Sequence, residues 1–189
     1  MDYTQINKTH IDFFIAHLGE ENVLFGENCN LYGSDHTENL IHPPDVVIFP
    51  SNTNEVVVIM KYCSENNISV TPSAALTGLS GGAIPIFGGV SLSMKKMNKI
   101  VAVDKENFQA IVEPGVINEE FQNILKEHKL FYPPDPASKG SCTLGGNFAL
   151  NAGGPKAVKY GVTSNYVLNL EKTEDDLKKA VEEKLIKGL

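Results

Sequence analysis

Asp45-Val46-Val47-Ile48-Phe49, the segment from Asn52 to Cys63, and Ile68-Ser69-Val70-Thr71 together decide the fold class. The first run is short, apolar and β-branched, which reads as a buried strand. Asn52 with Glu55 three residues on resembles a capping box, and Val56, Ile59, Met60 and Cys63 then give a helix its apolar face. Asn66-Asn67 ends that helix, and Ile68 to Thr71 is strand-like again. A strand, a helix and a strand in so short a stretch predict a βαβ unit.

Downstream, a glycine-rich stretch from Thr77 to Gly89 leads to strand candidates at Val90–Met94, Ile100–Val103 and Ala110–Glu113. Asn118 is placed to cap a helix bearing Phe121, Ile124, Leu125 and His128. Pro133 to Gly146 is loop by composition, and Asn151-Ala152-Gly153-Gly154-Pro155 is another. Upstream, Ile11, Phe14, Ile15 and Leu18 follow Thr9 as a suitable N-cap, with Gly19 as a stop. His42-Pro43-Pro44 then breaks regular structure. Residues 1–42 therefore read as a helical lead-in and 43–171 as the main domain. Residues 172–189 read as a charged tail in which Leu177, Ala180, Val181, Lys184 and Leu185 form one amphipathic helical stripe. The pattern is mixed α/β (α+β).

Composition narrows the function classes. The 189 residues, 42% hydrophobic and 21% charged, suit an ordinary globular domain. A net charge of −7 without a Lys/Arg cluster argues against nucleic acid as a partner, and the pairs Lys95-Lys96 and Lys178-Lys179 read as solvated surface. Cys29, Cys63 and Cys142 are widely spaced with no C-x-x-C pair, the pattern of reduced thiols in a cytoplasmic protein. The start, Met1-Asp2-Tyr3-Thr4, carries no signal-peptide features, and no apolar run is long enough to span a bilayer. His10, His17, His36, His42 and His128 show no metal-ligand spacing, so no metal is expected.

The chemistry falls to loops that lack chemical side chains. Pro72-Ser73-Ala74-Ala75-Leu76-Thr77-Gly78-Leu79-Ser80-Gly81-Gly82 follows a predicted strand, and small residues there let successive backbone N–H groups converge on a phosphate. The plainer alternative is a long turn whose glycines relieve strain. Tyr132-Pro133-Pro134-Asp135-Pro136-Ala137-Ser138, Thr143-Leu144-Gly145-Gly146-Asn147 and Asn151 to Gly154 add hydroxyl and amide donors. Such loops suit a large polar nucleotide cofactor, or are a set of turns and a bulged edge.

These residues resemble the FAD-binding domain of the vanillyl-alcohol-oxidase superfamily, the type shared with p-cresol methylhydroxylase. Within it the likeness is to the branch of the glycolate oxidases and D-lactate dehydrogenases. The matching stretches are Tyr32 to Glu38, Thr77 to Ala83, Val112 to Val116, the Pro-Pro-Asp-Pro loop with Gly145 to Asn147, and Gly154 to Val162. The resemblance implies that Pro72, Ser73, Ala74, Ala75, Leu76, Thr77 and Gly78 line the FAD pyrophosphate. Pro136, Ser138, Cys142, Thr143, Gly145, Gly146, Asn147, Asn151, Ala152 and Gly153 would then hold the flavin and its ribityl chain. It implies oxidation of a small 2-hydroxy acid with hydride passing to flavin N5, and non-covalent FAD, since no histidine matches a covalent attachment site.

Two departures stand out. Family members carry Pro-Arg-Gly where this chain has Pro72-Ser73-Ala74, so Ala74 is expected to be strained if it needs positive φ, and Ser73→Arg with Ala74→Gly is expected to strengthen FAD binding. Members also continue past Glu171 into further strands and a cap domain holding the acid-binding and proton-accepting groups. The expectation is an incomplete second subdomain and no cap, hence a chain inactive alone. The alternatives are a non-enzymatic remnant, or a flavin-binding half completed by a separate cap-domain partner protein.

Overall fold

The computed structural model describes residues 3–171. The expected tail helix at 172–189 lies outside them.

The elements run α1 (Lys8–Leu18), β1 (Val23–Phe25), β2 (Val46–Ile48), α2 (Thr53–Glu65), β3 (Val70–Ser73), β4 (Val90–Ser93), β5 (Ile100–Asp104), β6 (Gln109–Val112), α3 (Asn118–Glu127), α4 (Leu144–Ala149) and α5 (Ala157–Tyr160). One sheet has the order β1-β2-β4-β3, with β4 parallel to both β2 and β3, and β1 antiparallel on the β2 edge. The β2–α2–β3 unit is therefore present with its two strands apart, because β4 enters between them. Gly89 makes that insertion possible. It sits at φ +72, and a Cβ there would run into the carbonyl oxygen of Ser69 at the start of β3.

Strand β2 is buried on both faces, as a central strand covered by helices should be. Asn52 accepts the Glu55 N–H at 3.0 Å, and the Glu55 carboxylate accepts the Ser51 N–H at 2.7 Å, which fixes the start of α2. Its buried face, Ile59 and Cys63, packs on Phe14 and Leu18 of α1 and on Val46, Ile48, Val90 and Leu92 of the sheet. Burying side chains such as Phe14 and Ile59 contributes about 1.5–3 kcal/mol each. Asn67, at φ 51, follows the C-cap Asn66 in the left-handed region that asparagine tolerates.

The sequence texture sets residues 1–42 apart, yet Phe14, Leu18 and Val23 share this core. The polar look of the segment conceals β1, whose three residues pair with Ile48, Val47 and Val46. The cap of α1 is Asn7, not Thr9. Its amide oxygen takes the His10 N–H while His10 Nδ1 accepts the Asn7 N–H, both at 3.2 Å.

A second, smaller core joins Val116, Phe121, Leu125 and Leu144 beneath the β5–β6 hairpin. Asn118 is not the cap of α3. Ile117 holds that position without a side-chain bond, and Asn118 is the first helical residue, fully buried. Its amide donates to the Pro134 carbonyl at 3.2 Å and accepts from Asn147 at 3.0 Å. Gln122 donates to the same Pro134 carbonyl at 2.9 Å and to that of Tyr132 at 3.1 Å. A cap reading fails here because burial, not the helix terminus, decides where that amide points. The network ties the proline loop to α3 and α4.

Residues 133–146 are not loop throughout. Leu144 to Ala149 is helical, its first turn capped by the Thr143 hydroxyl, which accepts the Gly146 N–H at 3.3 Å. Two adjacent glycines hide that turn from a composition reading, because their helix propensity is poor.

Candidate cofactor site

Open α/β sheets bind ligands outside the carboxyl ends of their parallel strands. In this sheet β3 runs out at Ser73 into the loop from Ala74, and β4 runs out at Ser93 into the turn Met94–Lys96. A cavity of about 410 Å³ opens there, within the usual range for a small-ligand site. Ala74, Ala75 and Leu76 line it together with Lys95. Gly115, Ile117, Ser141 and Thr143 come from the second lobe, while Leu31 and Tyr32 come from the turn before β2.

The backbone N–H groups of Ala74, Ala75, Leu76, Thr77 and Gly78 make no hydrogen bond to a described protein acceptor. Leu76 has φ 56, a left-handed residue beside which successive N–H groups can turn to one side and form an anion-binding concavity. Strain expected at Ala74 therefore falls at Leu76, where a left-handed conformation costs about 1–2 kcal/mol. The loop is held from outside. Gly78 accepts the His36 N–H at 2.9 Å, Gly81 donates to the Thr37 hydroxyl at 2.7 Å, and Asp35 accepts the Thr37 N–H at 2.7 Å.

Ser73 behaves differently from its neighbours. Only 6% exposed, it sets its hydroxyl 2.9 Å from that of Ser91 on β4, inside the sheet rather than on the cavity wall. A guanidinium at this position would start from a buried, paired place, so Ser73→Arg is expected to weaken FAD binding where the sequence reading expects Ser73→Arg with Ala74→Gly to strengthen it.

Of the other expected residues, Thr143 reaches the cavity, and it does so beside Ile117, to which it is bridged. Pro72, Thr77, Gly78, Pro136, Ser138, Cys142, Gly145, Gly146, Asn147, Asn151, Ala152 and Gly153 are outside its wall. Several have structural partners. Cys142 is a buried thiol whose carbonyl takes the Asn118 N–H at 3.0 Å, and Asn147 belongs to the buried amide network. Asn151, at φ 50, accepts the Ser164 N–H at 2.9 Å; Ala152 accepts from Thr163, and Gly153 accepts the Asp135 N–H at 2.9 Å.

Asp135 fastens the proline loop to this last turn. Its carboxylate pairs with Lys156 at 3.0 Å and Lys139 at 3.1 Å, and these hydrogen bonds, Lys156 foremost, hold it below the ordinary aspartate range. By linkage, the pairing stabilises the loop above the unfolded-state pKa and is lost as pH falls through the depressed folded value.

Leu31, Tyr32, Lys95, Gly115 and Ile117 line the cavity without being marked as cofactor residues by the sequence, and Ser141 lies in the loop 136–142 that the resemblance assigns to the flavin. Tyr32 and Gly115 both fall in stretches that match the family, Gly115 in Glu113-Pro114-Gly115. A Cβ there would meet the Met94 carbonyl oxygen and come within 2.7 Å of that of Met97, so the glycine lets the β4 turn lie against the second lobe.

The cavity sits at strand carboxyl ends with a row of free N–H groups, and the sequence around it, residues 44–176, matches the FAD binding domain family. The chain belongs to the FAD-binding domain family. FAD is that family's cofactor, and the free N–H groups, the left-handed turn and a cation on the wall all fit an anionic pyrophosphate. This FAD-binding domain is 43% identical to a D-lactate dehydrogenase of Anaerostipes hadrus, across 87% of this chain and 35% of that one. It is likewise 43% identical to glycolate oxidase subunit GlcD of Bacillus subtilis, across 75% of this chain and 30% of that one. The chain thus spans about a third of the length of these relatives. A structure of p-cresol methylhydroxylase with substrate bound superposes with TM-score 0.66 at 29% identity, covering 75% of this chain and 29% of that one. The fold is that of the p-cresol methylhydroxylase FAD-binding domain, and the relatives are oxidoreductases.

Among the described residues of this FAD-binding domain, no group of three or more His, Cys, Asp or Glu is placed to hold a metal, and no helix is long and apolar enough to cross a membrane.

Proposed function

We propose that the chain binds FAD non-covalently, with the pyrophosphate on the loop Pro72–Gly78, in the service of 2-hydroxy-acid oxidation. The observation that carries this reading is the row of unbonded N–H groups of Ala74, Ala75 and Leu76 on the cavity wall, continued beyond it by those of Thr77 and Gly78. Pro136, Ser138, Cys142 and Thr143, with Gly145, Gly146 and Asn147, then shape the flavin side, and Asn151, Ala152 and Gly153 lie on the turn that Asp135 anchors. Bound FAD supplies a two-electron acceptor; the protein's part is to orient it and exclude water. Buried unpaired thiols at Cys29, Cys63 and Cys142, with Cys63 pushed up to about 12 by burial, suit a cytoplasmic setting.

The substrate class is a small D-2-hydroxy acid, in line with the relatives named for D-lactate, glycolate and D-2-hydroxyglutarate. The wall offers two titratable side chains, Tyr32 and Lys95. Burial raises the Tyr32 phenol, so it stays protonated at neutral pH and serves as a donor, not a base. Neither side chain is a base for the hydroxyl proton, and on this reading the acid-anchoring and proton-accepting groups belong to a cap segment or a partner protein. Purified chain loaded with FAD should release all its flavin into the filtrate on denaturation. Flavin retained on the denatured polypeptide would contradict non-covalent binding.

A further inference from the structure

We infer that Lys95 supplies the counter-charge for the cofactor's pyrophosphate, an inference that rests on the proposed binding of FAD. A pyrophosphate diester carries two negative charges, and the chain that receives it has a net charge of −7. Backbone N–H groups satisfy phosphate oxygens but bring only partial charge. Lys95 alone among the cavity-lining residues bears a formal positive charge.

Its neighbour shows that the choice is specific. Lys96 turns its ammonium to the side-chain oxygen of Asn22, whose own amide donates to the Leu18 carbonyl, so Lys96 is committed to the first lobe. The Lys95 ammonium makes no hydrogen bond or ion pair with any described residue. Both lysines sit in the turn Met94–Lys96, which Gly115 allows to lie close against the second lobe. That packing holds the turn, and with it Lys95, against the cavity that Ala74, Ala75 and Leu76 also line. Nothing in the sequence signals this, since a lysine pair beside a methionine reads as solvent-facing.

The test compares wild type, Lys95→Ala and Lys95→Arg by titration with FAD and, separately, with riboflavin, which has no phosphate. Lys95→Ala should weaken FAD binding roughly tenfold or more, as expected for losing a hydrogen bond to a charged group. It should leave riboflavin binding unchanged, and Lys95→Arg should restore FAD affinity. Added salt should weaken FAD binding to wild type more than to Lys95→Ala. Unchanged FAD affinity in Lys95→Ala, or an equal loss for riboflavin, would overturn the role of Lys95 while leaving the FAD reading intact. Wild type that binds no FAD would overturn both.

Discussion

Replacing Ser73 by arginine is expected to destabilise the domain by about 3 kcal/mol and to weaken FAD binding with it. The serine is buried on the edge strand β3 with its hydroxyl against Ser91. Register places Ser73 opposite Ser93, another fully buried hydroxyl on the same strand as Ser91. Arginine would have to drive a long charged chain between serines that leave no room for it, or twist the end of β3 outward. The twist would shift Ala74 and disperse the N–H groups behind it. Ser73→Ala is the matched control; it removes the hydroxyl bond and should cost about 1 kcal/mol. Thermal unfolding of both variants measures the difference. An arginine variant as stable as wild type and tighter for FAD would show that position 73 faces the cofactor.

A larger effect is expected in catalysis. FAD-loaded chain mixed anaerobically with D-lactate, glycolate or D-2-hydroxyglutarate should keep its flavin absorbance over the time in which a competent enzyme would bleach it. Oxidising such an acid requires its carboxylate anchored, its hydroxyl proton removed and its carbon–hydrogen bond held against the flavin. Tyr32 stays protonated, and Lys95 is committed to the phosphates on the inference drawn from its place in the cavity. Without a positioned acid, the proximity contribution, which can reach about 7–11 kcal/mol, is mostly absent. Rapid bleaching by any of the three acids, with no second protein present, would mean that these residues build a substrate site of their own.

Much of the fold is legible in residues whose surroundings are local. The α2 start at Asn52 and Glu55, the buried run at Val46–Ile48 and the strand candidates that become β5 and β6 all follow from short-range spacing and capping. What escapes such a reading depends on contacts distant in sequence. β1 is three residues in a polar setting, and only pairing with β2 makes it a strand. The place of β4 between β2 and β3 is a matter of sheet order, which periodicity does not encode. Asn118 resembles a cap because caps are often amides at helix starts; its burial beside Asn147 and Pro134 is a tertiary fact. The cavity shows the same division. Ala74, Ala75, Leu76, Ser141 and Thr143 lie in loops whose composition announces them, whereas Leu31 and Lys95 reach the wall through folding alone. The family resemblance points to strain in the right loop but two positions early, at Ala74 instead of Leu76.

The most direct test of the account is a titration of flavin-free chain with FAD, followed by quenching of flavin fluorescence, beside the same titration with riboflavin. With the pyrophosphate seated on the Ala74–Gly78 backbone, FAD should bind saturably, one per chain, and riboflavin much more weakly. Equal affinity for the two flavins, or no saturable binding of FAD, would contradict it.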